Sequence, residues 1–229
     1  MDEATWLACT DLTPMLAFLQ TSGLASARKL RLLAVACCRG AGRLFSLKRL
    51  QAAVLASELY ADGLLTAEEL ENARSAVARL AERAFRTHIR ALPWTIPVQN
   101  KFARYAAMQV ASRDIDEVLE VVGSGLVVGK TRADYEQKLR QKQVRQSAWL
   151  RDIFGNPFQR TLLSSSWRTT NVTTLANAIY QEHNFEDLPI LADAVEEAGC
   201  TDAAVLGHLR GAGPHVRGCW ALDLVLGKT

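Results

Sequence analysis

Long apolar runs are missing from this 229-residue sequence, and strand-like alternation of apolar and polar residues never persists. No apolar stretch approaches the ~18 residues that a membrane-spanning helix needs, so we expect no membrane partner. The opening segment Met-Asp-Glu-Ala-Thr-Trp carries acids where a secretory signal would have basic residues. These absences predict a soluble, cytoplasmic protein.

Cysteine and proline are also scarce, with five and six residues respectively. An odd number of cysteines that includes the adjacent pair Cys37 and Cys38 makes a poor disulfide framework, so we expect free thiols in a reducing compartment. Few prolines, 49% apolar residues and 22% charged residues argue against a mainly disordered chain.

Net charge is low as well, at +3, which argues against a strongly basic nucleic-acid binder. The charges are nevertheless unevenly distributed. Basic residues dominate positions 130–160, whereas positions 182–202 contain seven acids and neither lysine nor arginine. We interpret these two segments as solvated helix faces of opposite sign.

Helical periodicity is the feature that is present throughout. Residues 27–39 carry apolar side chains at helical spacing and on the flanking positions, which predicts a central helix. Thr66 followed by Glu69 is typical of a capping box at a helix start. A long polar helix is predicted over 132–154. The fold class predicted is all-α, an irregular array of about ten helices.

A strong helix stop, Gly155-Asn156-Pro157, follows that polar helix. It predicts an N-terminal helical part at residues 1–154 and a C-terminal helical part at 155–229. Because the predicted connections are short, we expect the second part to pack against the first.

Three segments carry a resemblance to a known group of sequences: WLACTD at 6–11, LRDIFGNPF at 150–158 and GPHVRGCW at 213–220. On these segments the chain resembles an uncharacterised bacterial protein family. The likeness covers both ends and the joint near 155, and is weakest over 93–145. It implies no activity, cofactor or partner.

Soft donor atoms of the kind that a structural zinc site uses occur within twenty positions near the C-terminus, on Cys200, His208, His215 and Cys219. The paired C-x-x-C spacing that makes a zinc prediction specific is missing. The favoured interpretation is therefore two small buried cysteines and two capping or surface histidines. Zinc is the alternative, and no other cofactor is predicted.

Six basic residues are candidates for contacting nucleic-acid phosphates: Lys130, Arg132, Lys138, Arg140, Lys142 and Arg145. Residues 124–131, SGLVVGKT, resemble a phosphate-binding loop except that Ser124 replaces the first glycine. A helical pattern precedes this segment where the motif needs a strand. We therefore interpret it as a glycine-rich turn before a basic helix.

No catalytic set is evident. The serines at 164–166 lack a nucleophile-elbow context, and adjacent Glu196 and Glu197 diverge by about 100° on a helix. The sequence therefore favours a non-catalytic binding or adaptor module with a protein partner, such as a subunit or accessory of a larger complex. Nucleic-acid binding through the basic surface of residues 130–160 is the alternative.

Overall fold

The protein is all-α, which confirms the predicted fold class. The structure, a computed structural model, describes residues 1–86, 95–123, 126–159, 161 and 164–228. This part of the chain contains no strand and twelve α-helices: α1 (Glu3–Ala8), α2 (Leu12–Thr21), α3 (Ala27–Gly40), α4 (Lys48–Ala61), α5 (Ala67–Arg86), α6 (Ile96–Val110), α7 (Ile115–Gly123), α8 (Arg132–Phe154), α9 (Thr170–Glu182), α10 (Leu188–Glu197), α11 (Ala203–Leu209) and α12 (Trp220–Leu226). Among the described helices, none combines the length and the apolar character needed to cross a lipid bilayer.

Side-chain caps explain where several helices begin. The predicted capping box is present before α5: Glu69 accepts a hydrogen bond from the Thr66 N–H at 2.8 Å, and the Glu69 N–H donates to the Thr66 hydroxyl at 3.2 Å. Donation from the Thr66 N–H and from the Thr66 hydroxyl to the Glu69 carboxylate lowers the pKa of Glu69. Asp2 and Asp202 cap α1 and α11 in the same way, which satisfies N–H groups that have no partner within the helix.

Residue contacts divide the chain into two compact units. The middle unit comprises residues 25–146, and the terminal unit comprises residues 1–24 together with 147–229. Helix α8 contributes to both, because the division falls between Gln146 and Ser147. The sequence-based boundary at 155, with packed parts 1–154 and 155–229, stays a prediction.

Helix α3 is the core helix of the middle unit. Every side chain from Leu30 to Cys38 is buried, and α3 contacts α4, α6 and α7. Gln146 on α8 donates hydrogen bonds to Cys37 Sγ at 3.0 Å and to the Val122 carbonyl at 2.9 Å. Burial raises the pKa of the Cys37 thiol to about 11, so this cysteine is a neutral core residue near pH 7.

The charged side chain of Arg31 belongs to this core and is 4% exposed. Its guanidinium donates hydrogen bonds to the carbonyls of Val110 at 3.2 Å and Ser112 at 2.7 Å, at the end of α6. It also lies over the ring of Tyr60, 5.0 Å from the centroid. Arg31 therefore satisfies two carbonyls at a helix end that has no further turn to bond them.

We expect Arg31→Met to lower the free energy of unfolding by about 3 kcal/mol, because two carbonyls lose a charged donor. Urea unfolding monitored by circular dichroism measures this change. Arg140→Met is the control, since Arg140 is exposed on α8 and its replacement should cost less than about 0.5 kcal/mol. Equal effects of the two substitutions would contradict the role assigned to Arg31.

The terminal unit has its own apolar core, to which α9, α10, α11 and α12 contribute. The last turn of α8 is held on the N-terminal helices by Arg151, whose guanidinium donates to the carbonyls of Trp6 at 3.1 Å and Cys9 at 2.8 Å. In return, the indole N–H of Trp6 donates to the Gly155 carbonyl at 3.2 Å. These bonds fix the position of the next residue on α8, Asp152.

Candidate metal centre

Four potential metal ligands converge in the terminal unit: Asp152, His208, His215 and Cys219. One donor atom of each residue lies within 4.8 Å of the donor atoms of the other three. Asp152 comes from the last turns of α8 and His208 from the last turn of α11. His215 lies in the loop after α11, and Cys219 is the residue that precedes α12.

The carboxylate of Asp152 is the centre of the group. Its Oδ1 lies 3.0 Å from His208 Nε2 and 2.8 Å from His215 Nδ1. Cys219 Sγ lies 3.2 Å from His208 Nε2 and 4.0 Å from His215 Nδ1. Each donor atom therefore faces the same small volume.

Two glycines let the loop between α11 and α12 bring His215 and Cys219 to this point. Gly213 has φ +82°, and a Cβ there would lie 2.7 Å from the backbone nitrogen of His215. Gly218 has φ +92° directly before Cys219. Both positions are in the left-handed region that favours glycine, so the loop conformation depends on these residues.

Hydrogen bonds with neighbouring backbone groups orient two of the potential ligands, Asp152 and His215. The Val216 N–H donates to the second carboxylate oxygen of Asp152, Oδ2, at 2.9 Å, which leaves Oδ1 facing the imidazoles. His215 Nε2 lies 3.1 Å from the Gly211 carbonyl and can only donate to it. In a neutral ring, this bond leaves Nδ1 without a proton. Backbone partners of this kind are typical of metal-ligating carboxylates and histidines.

The bond to Gly211 creates a conflict that a cation resolves. An unprotonated His215 Nδ1 and the Asp152 carboxylate are both acceptors, yet they face each other at 2.8 Å. Either a proton on the imidazole or a metal ion between the two atoms makes this approach favourable. Because the sulfur of Cys219 faces the same volume, a metal ion satisfies more of the group than a proton does.

Burial shapes the acid–base properties of the group. Asp152 is only 4% exposed and Cys219 is fully buried. Burial raises the pKa of the Cys219 thiol well above its usual value, and the nearby Asp152 charge adds to this. Burial alone would raise the pKa of Asp152, but hydrogen bonds from His208 and His215 lower it overall. Burial alone would lower the pKa of His215, but the hydrogen bond and the negative charge of Asp152 raise it overall.

The donor set fits zinc. One carboxylate oxygen, two imidazole nitrogens and one sulfur are ligands that Zn²⁺ takes in tetrahedral sites. Zinc bonds of that kind place neighbouring ligand atoms about 3.3–3.6 Å apart. Four of the separations between donor atoms here run from 2.8 to 4.0 Å, and all of them are within 4.8 Å. Small movements of the side chains therefore bring these atoms to the spacing of a coordination shell. Hard cations such as Mg²⁺ and Ca²⁺ prefer all-oxygen sites and fit less well.

The metal-free and metal-bound forms should depend on pH in opposite ways. Because the folded pKa of His215 is raised, its contribution to stability is present below about pH 6.5 and is lost as the pH rises through the raised value. Zinc binding requires a thiolate and neutral imidazoles, so it strengthens as the pH rises. We expect the melting temperature of the metal-free protein to fall, and that of the zinc-saturated protein to rise, between about pH 6 and 8.

Thermal melts of both forms across this range measure the two slopes. The variant His215→Gln is the control for the metal-free form, because it removes the titrating imidazole and should flatten that slope. Slopes of the same sign in the two forms would contradict the assignment of these residues as ligands.

Of the four ligands predicted from the sequence, the structure brings together His208, His215 and Cys219. Cys200 is not part of the group. It is buried in the apolar core of the terminal unit, and its N–H donates to the Val195 carbonyl at 3.1 Å. Burial raises the pKa of its thiol. The favoured interpretation of Cys200 as a small buried residue agrees with this position.

Asp152 is the ligand that sequence reasoning missed. The candidate ligands predicted from the sequence lie within twenty positions of one another, whereas Asp152 lies 56 positions before His208. One signal was available: Asp152 falls on the apolar side of α8, between the buried residues Trp149, Leu150 and Ile153. A carboxylate at such a position needs a partner to offset the cost of burial.

The six predicted nucleic-acid-binding residues are divided by the structure. Four of them, Lys130, Lys138, Lys142 and Arg145, line one cavity of the middle unit. Arg132 pairs instead with Glu136 at 2.8 Å on the exposed surface of α8, and Arg140 is exposed outside the cavity.

In the segment that resembles a phosphate-binding loop, backbone N–H groups donate hydrogen bonds to protein side chains. Residues 126–131 are not helical, and α8 begins directly after them, as a turn before a basic helix requires; Ser124 and Gly125 lie outside the described residues. The Lys130 N–H donates to the Asp134 carboxylate at 2.7 Å rather than pointing to an open cradle. The motif's mechanism, backbone N–H groups that converge on a phosphate, is not supported here.

In comparisons with protein-family models, curated proteins and solved structures, no match was found. The resemblance to an uncharacterised bacterial family therefore stays a prediction, and the metal centre is supported by its geometry.

Proposed function

We propose that this protein binds one zinc ion through Asp152, His208, His215 and Cys219, and that the metal has a structural role in a non-catalytic binding module. The observation that carries the proposal is the convergence of four potential ligand atoms on one small volume, with His215 Nδ1 2.8 Å from Asp152 Oδ1 and a buried cysteine in the same group. A zinc ion at the centre would be bound by all four residues and would separate the His215 nitrogen from the Asp152 carboxylate.

The number of ligands supports the structural role. Structural zinc sites use four protein ligands, whereas catalytic zinc sites use three and leave one position for water or substrate. All four positions of a tetrahedral ion are supplied here by side chains. The ligands also come from four places in the terminal unit: the end of α8, the end of α11, the loop that follows α11 and the residue before α12. The metal therefore joins elements that are distant in the sequence.

The experiment uses untagged protein produced in zinc-supplemented medium and purified without chelators or metal-affinity resin. Elemental analysis should find about one zinc per chain, the stoichiometry of a single four-ligand site. Replacement of zinc by cobalt should give the strong visible absorption of a tetrahedral ion and a thiolate-to-cobalt charge-transfer band. Absence of tightly bound metal, or an octahedral cobalt spectrum, would overturn the proposal.

A catalytic metal is the alternative against which the structural role is tested. A cavity of about 320 Å³ opens beside Asp152, His208 and His215, so a small molecule can approach this side of the centre. If one position were open, azide or cyanide would bind the cobalt-substituted protein and change its spectrum. A closed four-ligand site predicts no change at concentrations that perturb open sites.

The role as a binding module follows from this closed site and from the lack of a catalytic set in the sequence. A protein partner stays a prediction, tested by light scattering of the purified complex with a candidate partner. Nucleic-acid binding, the alternative from the sequence, also stays a prediction. The placement of four of its six basic residues in a cavity favours a smaller ligand.

A further inference from the structure

A large cavity in the middle unit is lined mainly by basic and apolar side chains. Its volume is about 740 Å³, within the range of cavities that hold small organic ligands. The basic residues that line it are Arg43, Lys130, Lys138, Lys142 and Arg145. No aspartate or glutamate is found among the described residues of its lining.

One wall of the cavity is held firmly. The Val127 N–H donates to the side chain of Gln99 on α6 at 3.1 Å. A Cβ on Gly129 would lie 2.6 Å from the Cβ of Tyr135, so the loop runs directly against the first turn of α8 and only glycine fits. Lys138 spans this corner, because its ammonium donates to the Val128 carbonyl at 3.2 Å and pairs with Asp134 at 3.1 Å.

Lys142 is the unusual residue of the lining. It is only 7% exposed, although lysine is almost never fully buried in proteins. Burial lowers its pKa, an effect that the nearby Cys37 and Cys38 oppose and the charge of Arg145 adds to. A nearly buried charged group in the wall of a cavity is typical of a functional site. An anion in the cavity would bring a charge of opposite sign beside it.

The remaining lining indicates what the anion is attached to. Leu44, Leu126, Val127 and Val128 supply apolar surface, and Ser46, Asn100 and Gln141 supply neutral hydrogen-bonding groups. Inorganic phosphate alone would leave most of this surface and volume unused. A phosphate ester whose organic part is a base or sugar ring matches the cations, the apolar wall and the amides together.

We propose that this cavity binds a small phosphorylated ligand of nucleotide size, with Lys142 and Arg145 contacting the phosphate. The cavity shares no residue with the metal centre, so this proposal does not rest on zinc binding. A free nucleotide and a phosphate of an oligonucleotide present the same ester chemistry, but a concave site of this volume favours the free molecule.

The binding experiment uses the full-length protein and three probes at low ionic strength: ADP, inorganic phosphate and a single-stranded oligonucleotide of mixed sequence. Calorimetry or a fluorescent ADP analogue should detect one ADP site per chain that weakens as salt is added. Phosphate should compete with ADP at higher concentration. The oligonucleotide should compete no better than ADP does.

A matched pair of variants on α8 separates the cavity from general surface charge. Arg145→Gln and Arg140→Gln make the same chemical change, but only Arg145 lines the cavity. We expect the first to weaken ADP binding about tenfold or more, as the loss of a charged hydrogen bond does, and the second to change it less than about twofold. Lys142→Met should abolish detectable binding while the protein stays folded, since the apolar chain suits a buried position.

Binding must also be independent of the metal centre. The affinity for ADP should be the same with and without a metal chelator, at a temperature at which both forms are folded, so a failure of the zinc proposal leaves this one intact. The proposal is overturned if ADP does not bind at low salt, if Arg145→Gln and Arg140→Gln behave alike, or if only the oligonucleotide binds. The last result would instead support a nucleic-acid surface.

Discussion

Removal of zinc is expected to lower the free energy of unfolding by about 4 kcal/mol, when the comparison is made with free zinc at about a thousand times its dissociation constant. The physical reason is that the ion binds the folded arrangement of four ligands and has no equivalent site in the unfolded chain. For a chain of this size the loss corresponds to a fall in melting temperature of about 10 °C or more. Differential scanning calorimetry with and without a chelator measures it.

Two controls make this result specific. Zinc added back to the metal-free protein should restore the melting temperature, whereas Mg²⁺ or Ca²⁺ should not, because these ions prefer oxygen ligands. The melting temperature of a ligand variant such as His208→Gln should be insensitive to the chelator. An unchanged melting temperature after complete loss of zinc would contradict a structural metal.

Cys219→Ala is expected to weaken zinc binding by about 100-fold or more, exceeding the loss that follows removal of an outer-shell partner. Its matched control is Cys200→Ala. Both cysteines are buried in the same apolar core, with exposures of 0% and 1%, so the two substitutions remove the same atom from equally buried positions. Competition against a chromophoric chelator measures zinc affinity in each variant.

The pair also separates metal binding from packing. Without metal, each alanine variant should lose a similar amount of stability, about 1 kcal/mol, because each leaves a cavity the size of one sulfur atom. With zinc, Cys219→Ala should lose more stability relative to the wild type than Cys200→Ala does, because it also loses zinc binding. Equal loss of zinc from both variants would restore Cys200 as a ligand and contradict the geometry of the group.

Much of the fold could be predicted because local signals and burial agree. The apolar positions of residues 27–39 predict a central helix, and α3 is buried from Leu30 to Cys38. The capping box at Thr66 and Glu69 is present as its spacing predicts. Helix number is less accurate, with twelve α-helices in the described residues against about ten predicted, since a short helix such as α1 has too few turns to show periodicity.

The metal centre could be predicted only in part, because its ligands meet through tertiary structure. His208, His215 and Cys219 were candidates from residue type and proximity in the sequence. Asp152 joins them only because Arg151 and Trp6 hold the end of α8 in place, and long-range contacts of that kind leave no spacing rule in a sequence. Cys200 was a candidate because it is near the other three residues in the sequence. The structure places its side chain in the apolar core instead, because proximity in sequence does not determine which way a side chain points.

The basic residues show a similar limit. Charge counting found the segment 130–145, but it could not distinguish Arg145, which lines the cavity, from Arg140, which is on the same helix and does not. Nor could it show that Lys142 is nearly buried. Orientation around the helix axis decides both, and the polar composition of α8 offers little apolar pattern from which to infer that orientation.

X-ray absorption at the zinc edge of the purified, untagged protein tests whether these four residues hold a zinc ion. We expect a four-coordinate ion with one sulfur at about 2.3 Å and three nitrogen or oxygen ligands at about 2.0–2.1 Å. The sulfur should vanish from the shell in any zinc retained by Cys219→Ala and persist in Cys200→Ala. A six-coordinate shell of oxygen and nitrogen, or a shell with two sulfurs, would contradict it.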